Sequence, residues 1–214
     1  MIAVIDYGMG NLGSVSNALK SLGANVKVTQ RASDLKIANK IVLPGVGAFR
    51  NAMDSLARLK LIDPLKQELA RDKIYLGICL GLELLFERSQ EGNCRGLGIL
   101  KGDVVRFSLR TKRRGRTDRG EKSAALKVPH MGWNQVKIKR DNCPLFKGIN
   151  DNAFFYFVHS YYVMPKDKDI VAAITDYSGE FTSMVWKKNI FAVQYHPEKS
   201  QAVGLRFLEN FVKL

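Results

Sequence analysis

Cys79, in Gly77-Ile78-Cys79-Leu80-Gly81, and His196, in His196-Pro197-Glu198, are the residues of this chain whose types and settings can do chemistry. A cysteine sulfur is a nucleophile, an imidazole is a base that works near neutral pH, and a carboxylate beside the imidazole fixes its orientation. The cysteine follows the apolar run Ile74-Tyr75-Leu76 and precedes Leu82-Glu83-Leu84-Leu85-Phe86-Glu87, which has helical character. That pattern predicts a sharp strand-to-helix turn whose small neighbours leave the sulfur accessible. A helix beginning at Leu80 would direct its N-terminal partial charge at the sulfur and favour the thiolate. His196 follows the strand-like Ile190-Phe191-Ala192-Val193-Gln194. The fixed angle of Pro197 keeps the chain extended, so Glu198 can accept from one ring nitrogen while the other faces Cys79. A lone cysteine or histidine is ordinarily structural. The combination reads as nucleophilic catalysis by a Cys79, His196, Glu198 triad.

Other segments bear on the same chemistry. Pro44-Gly45-Val46-Gly47 ends a second strand-like run, and the Val46 amide together with the Leu80 amide would form an oxyanion hole. An ordinary strand-helix turn explains that segment equally well. His130 and His159 are alternative bases should the fold place them by the sulfur. Gly8-Met9-Gly10-Asn11-Leu12-Gly13 fits the dinucleotide fingerprint, but the place for its ribose-binding acid holds Gln30 and Arg31, with Asp34 further on. Nothing supplies a hydride acceptor site, so the fingerprint is set aside. The reading calls for no cofactor and no metal.

Elements that could position these residues follow from hydrophobic periodicity. Ile2 to Ile5 reads as a strand; Leu12, Val15, Ala18, Leu19 and Leu22 share a helix face that Gly23 can end. Val26-Lys27-Val28 and Ile41-Val42-Leu43 are further strands, and a helical stretch from Ala52 to Leu69 is expected to break near Asp63-Pro64. Ile74 to Ile78 is apolar throughout, as in a strand buried on both faces. After Gly96 the pattern turns to strands joined by short turns: Val104 to Phe107, Val136 to Ile138, Phe154 to Val158, Ile170 to Ile174 and Ile190 to Gln194. Helical spacing returns at Leu205, Leu208 and Val212. The expectation is one α/β domain over 1–214: a doubly wound, mostly parallel sheet flanked by helices, with an antiparallel extension.

With 214 residues and an ordinary apolar fraction, the chain can bury one sizeable core. No apolar run approaches the roughly 20 residues that span a bilayer, and Met1-Ile2-Ala3-Val4 reads as a strand rather than a secretion signal. Cys79, Cys94 and Cys143 lack metal-ligand spacing and are odd in number, which points to a reducing cytoplasm. The net charge of +14 would ordinarily raise nucleic acid as a partner. Much of it is crowded into a basic insertion near 110–124, where no aromatic residue interleaves, so a solvated loop is favoured over a nucleic-acid site.

The elbow at Cys79, His196-Pro197-Glu198-Lys199-Ser200, the Pro44 to Phe49 loop, Pro129-His130-Met131-Gly132-Trp133-Asn134, Asp6 to Asn11 and Tyr156 to Tyr161 together resemble the class I glutamine amidotransferases, and more narrowly the glutaminase subunits of imidazole glycerol phosphate synthase. The resemblance covers nearly the whole chain except the basic insertion. It implies hydrolysis of L-glutamine through a Cys79 thioester. Gly47, Glu91 and backbone near Ser160 and Tyr161 would hold the substrate. Ammonia would pass to a (β/α)₈ cyclase subunit, HisF, with Asn11, Trp133 and Lys199 facing that heterodimer partner. One departure falls in the substrate pocket, where the family usually has glutamine and this chain has Glu83. An anionic carboxylate there cannot donate as an amide does and would repel the α-carboxylate of glutamine. That departure and the insertion leave two alternatives: a paralogue feeding another synthase, such as one for a modified surface sugar, and a catalytically silent binding relative.

Overall fold

The computed structural model describes residues 1–108 and 127–214; the basic insertion near 110–124 lies outside the described residues. The first part of the chain alternates strand and helix: β1 (Ile2–Ile5), α1 (Leu12–Ser21), β2 (Val26–Thr29), α2 (Ala32–Ile37), β3 (Lys40–Gly45), α3 (Phe49–Arg58), α4 (Ile62–Ala70), β4 (Ile74–Cys79) and the single turn α5 (Leu80–Glu83). The remainder is mainly strand: β5 (Arg88–Ser89), β6 (Cys94–Arg95), β7 (Gly102–Arg106), β8 (His130–Ile138), β9 (Ala153–His159), β10 (Tyr161–Pro165), β11 (Val171–Asp176), β12 (Glu180–Lys187) and β13 (Ile190–Val193), closed by α6 (Gln201–Lys213).

Strands β2, β1, β3, β4 and β13 lie side by side and parallel. From β13 the sheet continues antiparallel through β12, β10 and β7, while β11 carries the β8–β9 hairpin. The fold is thus an α/β sheet, mostly parallel at its centre, with an antiparallel part and flanking helices. Two apolar layers cover its faces, and β1 shows why. Ala3 and Ile5 join the layer packed by Leu35, Phe49, Leu56 and Leu65 of α2 to α4, while Ile2 and Val4 join that of Val15, Leu19, Phe207 and Phe211 of α1 and α6. Each fully buried Leu or Phe contributes roughly 1.5–3 kcal/mol of transfer free energy.

Two helix boundaries differ from expectation. The chain breaks before α4 rather than at Asp63-Pro64: Lys60 has φ +55°, and Pro64 sits in the first turn of α4, where a missing N–H costs no helical bond. The helix expected after the cysteine stops at Glu83. Leu82, Leu84, Leu85 and Phe86 are all fully buried, so their apolar character reflects enclosure on every side, not one face of a longer helix.

Candidate active site

Cys79 closes β4 with φ +54° and ψ −106°, a conformation that side chains rarely adopt and that costs on the order of 1–3 kcal/mol. The positions two residues to either side of it must be glycine. A Cβ at Gly81 would stand 1.9 Å from the Leu43 carbonyl oxygen, and one at Gly77 would stand 2.5 Å from the Gly81 carbonyl oxygen. The tight turn aims the cysteine at the carboxyl edge of the sheet, where open α/β sheets place their sites. β13 is the neighbour of β4, with Val193 opposite Ile78, so the segment running on from β13 to His196 emerges beside the elbow.

There His196 and Glu198 form a pair with side chains 2% and 1% exposed, joined by a 2.8 Å contact from Nδ1 to Oε1. Nε2 of His196 is buried and has no hydrogen-bond partner among the described residues. With Nδ1 engaged by a carboxylate, Nε2 is the ring atom left to exchange a proton. The Sγ of Cys79 lies 3.8 Å from the donating Nε2 of Gln194 and 3.9 Å from the Val158 carbonyl oxygen.

The thiol itself is not poised as thiolate. Burial pushes its pKa well above the ordinary range, the carboxyls of Glu83 and Glu198 push it further, and hydrogen bonds from the Leu80 amide and Gln194 oppose them. The one-turn α5 brings only that Leu80 amide to bear, which corrects the expectation of a helix dipole strong enough to hold the thiolate.

Cys79 opens into a cleft of about 240 Å³. Val46 and Leu80, the expected oxyanion donors, line it, as do Gly47, Glu83, Glu91, Ser160 and Tyr161, the expected substrate contacts. Glu91 is anchored where its carboxylate accepts from the Phe49 amide at 2.8 Å. Pro129, Val158 and His159 also line the cleft. Sequence reasoning passed over Gln194, which it read as the end of a strand. Its place two residues before His196 was the available signal, since alternate residues share a side.

Two expectations change at this site. His130 and His159 do not offer a second base. His159 Nδ1 donates to the Tyr161 carbonyl oxygen at 2.6 Å, which leaves Nε2 to accept from His130 Nδ1 at 2.9 Å; His130 Nε2 then accepts from Asn134 at 3.2 Å. Both rings are fully engaged, and burial lowers the pKa of His130 to about 4 and of His159 to about 3. Glu83 is not the anion expected from its residue type. Fully enclosed, it accepts from Gln194 Nε2 at 2.8 Å, and burial pushes its pKa up to about 8. Gln30, which holds the place of the ribose-binding acid after β2, donates to Asp6 at 2.9 Å, in keeping with setting the dinucleotide fingerprint aside.

Trp133 is exposed on β8, with its ring 6.1 Å from that of Tyr156, and the Lys199 ammonium lies 5.8 Å from the same Tyr156 ring. Met131 and Phe154 are exposed on the same hairpin. Asn11 caps α1, accepting from the Ser14 amide at 3.2 Å. No helix among the described residues is long and apolar enough to cross a membrane.

Comparison with known proteins agrees with the geometry. The profile described as "Glutamine amidotransferase class-I" matches residues 3–214. The imidazole glycerol phosphate synthase subunit HisH of Syntrophotalea carbinolica is 48% identical over 212 residues, covering 99% of this chain and 98% of that one. The protein of the same name from Methanocaldococcus jannaschii is 46% identical, with 100% of both chains covered. Among solved structures, a glutamine amidotransferase overlays with a TM-score of 0.72 at 16% identity over 100% of both chains, and PurLQS from Thermotoga maritima with 0.71 at 17% over 99% of this chain and 95% of that one. Those two likenesses establish the fold. With a profile match spanning almost its full length and near-half identity to whole relatives, the chain belongs to the class I glutamine amidotransferases, a family of glutaminase enzymes.

Proposed function

We propose that this chain is the glutaminase subunit of an imidazole glycerol phosphate synthase, a cytoplasmic enzyme of histidine biosynthesis that hydrolyses L-glutamine and delivers the ammonia to a cyclase subunit, HisF. The observation that carries the reading is the strained Cys79 elbow beside the buried His196–Glu198 pair with its open Nε2. Glutamine binds with its side-chain amide over Cys79. The sulfur attacks the amide carbon as His196 Nε2 takes the thiol proton, and Glu198 orients the ring and stabilises its positive charge. The Val46 and Leu80 amides hold the oxyanion of the tetrahedral intermediate. His196 returns the proton to nitrogen, the C–N bond breaks, and ammonia leaves. Water, deprotonated by the same imidazole, then attacks the γ-glutamyl thioester, releasing glutamate and restoring the thiol.

The exposed Trp133, with Lys199 stacked beyond it on Tyr156, supplies an aromatic and cationic patch of the kind that anchors interfaces, and Asn11 is assigned to the same face. The test is release of glutamate and ammonia from L-glutamine with and without added HisF. Turnover that rises with HisF and vanishes in Cys79→Ala is expected; turnover retained in Cys79→Ala excludes Cys79 as nucleophile.

A further inference from the structure

Glu83 is a carboxyl group in a place that gives it no counter-ion. It is 5% exposed, on the turn that immediately follows the nucleophile, and it lines the cleft. No lysine or arginine among the described residues acts on it. The titratable groups around it are Cys79 at the end of β4, Tyr7 after β1, Glu91 across the cleft, His159 at the end of β9 and Tyr161 at the start of β10. Each is either acidic or, for His159, kept neutral by burial. Tyr7 has its hydroxyl buried without a hydrogen-bond partner among the described residues, and its pKa is raised by burial and by Cys79 and Glu83.

Only one oxygen of Glu83 is engaged among the described residues. Oε1 accepts from Gln194 Nε2 at 2.8 Å, and that nitrogen also faces the Cys79 sulfur at 3.8 Å. A neutral carboxyl whose Oε1 is an acceptor carries its proton on Oε2, the oxygen left for a ligand in the cleft. The oxygens of glutamine are acceptors, so a neutral acid matches them and an anion does not.

We propose that Glu83 is a specificity-determining residue that works as a neutral acid, donating its O–H to an acceptor oxygen of the bound glutamine, and that ionisation of this one carboxyl closes the cleft to substrate. The inference rests on the glutaminase reading and adds a control by pH to it. Gln194 is a positioning residue here. By occupying Oε1 it fixes which oxygen holds the proton, and it links the acid to the nucleophile through one amide.

The test measures glutamine binding by calorimetry between pH 7 and 9.5 in Cys79→Ala, where no turnover interferes, and in the same protein with Glu83→Gln added. The ratio between the two proteins cancels the titration of the amino group of glutamine. With the carboxyl ionising at about 8, Cys79→Ala loses about 30-fold in affinity over that range relative to the double variant. Independently of the second substitution, binding to Cys79→Ala at pH 8.5 takes up about three-quarters of a proton per glutamine beyond that due to the ligand itself. Equal pH profiles in the two proteins, or no such uptake, overturn the role of Glu83 while leaving the glutaminase reading intact. Absence of glutamine binding in both proteins at every pH overturns the glutaminase reading and this inference with it.

Discussion

Two buried imidazole sites lie within reach of one cleft, and they differ in one respect. His130, His159 and His196 are 3%, 6% and 2% exposed, so enclosure does not distinguish them. The first two sit in a closed chain of hydrogen bonds that runs from Asn134 through both rings to the Tyr161 carbonyl oxygen and leaves no nitrogen free. His196 faces a carboxylate on one side and, on the other, has no hydrogen-bond partner among the described residues. Reactivity in a buried histidine is thus decided by what its second nitrogen still lacks. A ring with both nitrogens engaged holds up a wall; a ring with one open handles protons.

That contrast can be broken by substitution. His196→Asn is expected to lower kcat for glutamine by about 10⁴-fold or more, because the sulfur then has no acceptor for its proton. Glu198→Gln should follow with a loss on the order of 10²–10⁴-fold, since an amide at that place no longer stabilises the protonated ring. His130→Asn is the counterpart: kcat changes by less than about tenfold, while stability falls by about 1–3 kcal/mol as the buried Nε2 of His159 loses its donor. A kcat loss for His130→Asn as large as that for His196→Asn would erase the distinction between the two sites. Steady-state kinetics and urea unfolding on the same preparations read both effects.

A further effect is on stability against pH. His130 and His159 have folded pKa values of about 4 and 3, below the unfolded value near 6.5. Below that value the unfolded chain binds protons that the folded one refuses, so their contribution, complete above pH 6.5, is lost as pH falls toward 4. Glu83 has the opposite displacement, from 4.5 to about 8, so its contribution is complete below pH 4.5 and is lost as pH rises through 8. Urea midpoints at pH 5 and pH 8 should therefore show Glu83→Gln gaining most, relative to the parent, at the alkaline end.

How far the molecule was legible in its residues varied with what the residues had to satisfy. The parallel half could be read because strands buried on both faces require nearly continuous apolar runs, as in β1, β3 and β4. The antiparallel half was read less completely. β12 carries Thr182 and Ser183 on buried positions, and its pairing with β11 shifts register between Val171 and Ile174, so no clean alternation marks it. At the site, the spacing of Gly77, Cys79 and Gly81 carried the elbow because close backbone approach leaves no other residue type possible. The ionisation states were not legible. The helix expected after Cys79 suggested a thiolate there, residue type suggested an anion at Glu83, and enclosure by residues distant in sequence reverses both. Gln194 was missed for a related reason, since an amide gains meaning only from what it touches.

The place of β13 between β4 and β12 has a consequence for how the protein is made. The proposed nucleophile and base follow neighbouring strands, yet they lie 117 positions apart in the chain. A nascent chain on the ribosome holds the Cys79 thiol without the His196 imidazole until β13 has been added beside β4. Fragments truncated before β13 are therefore expected to lack glutaminase activity.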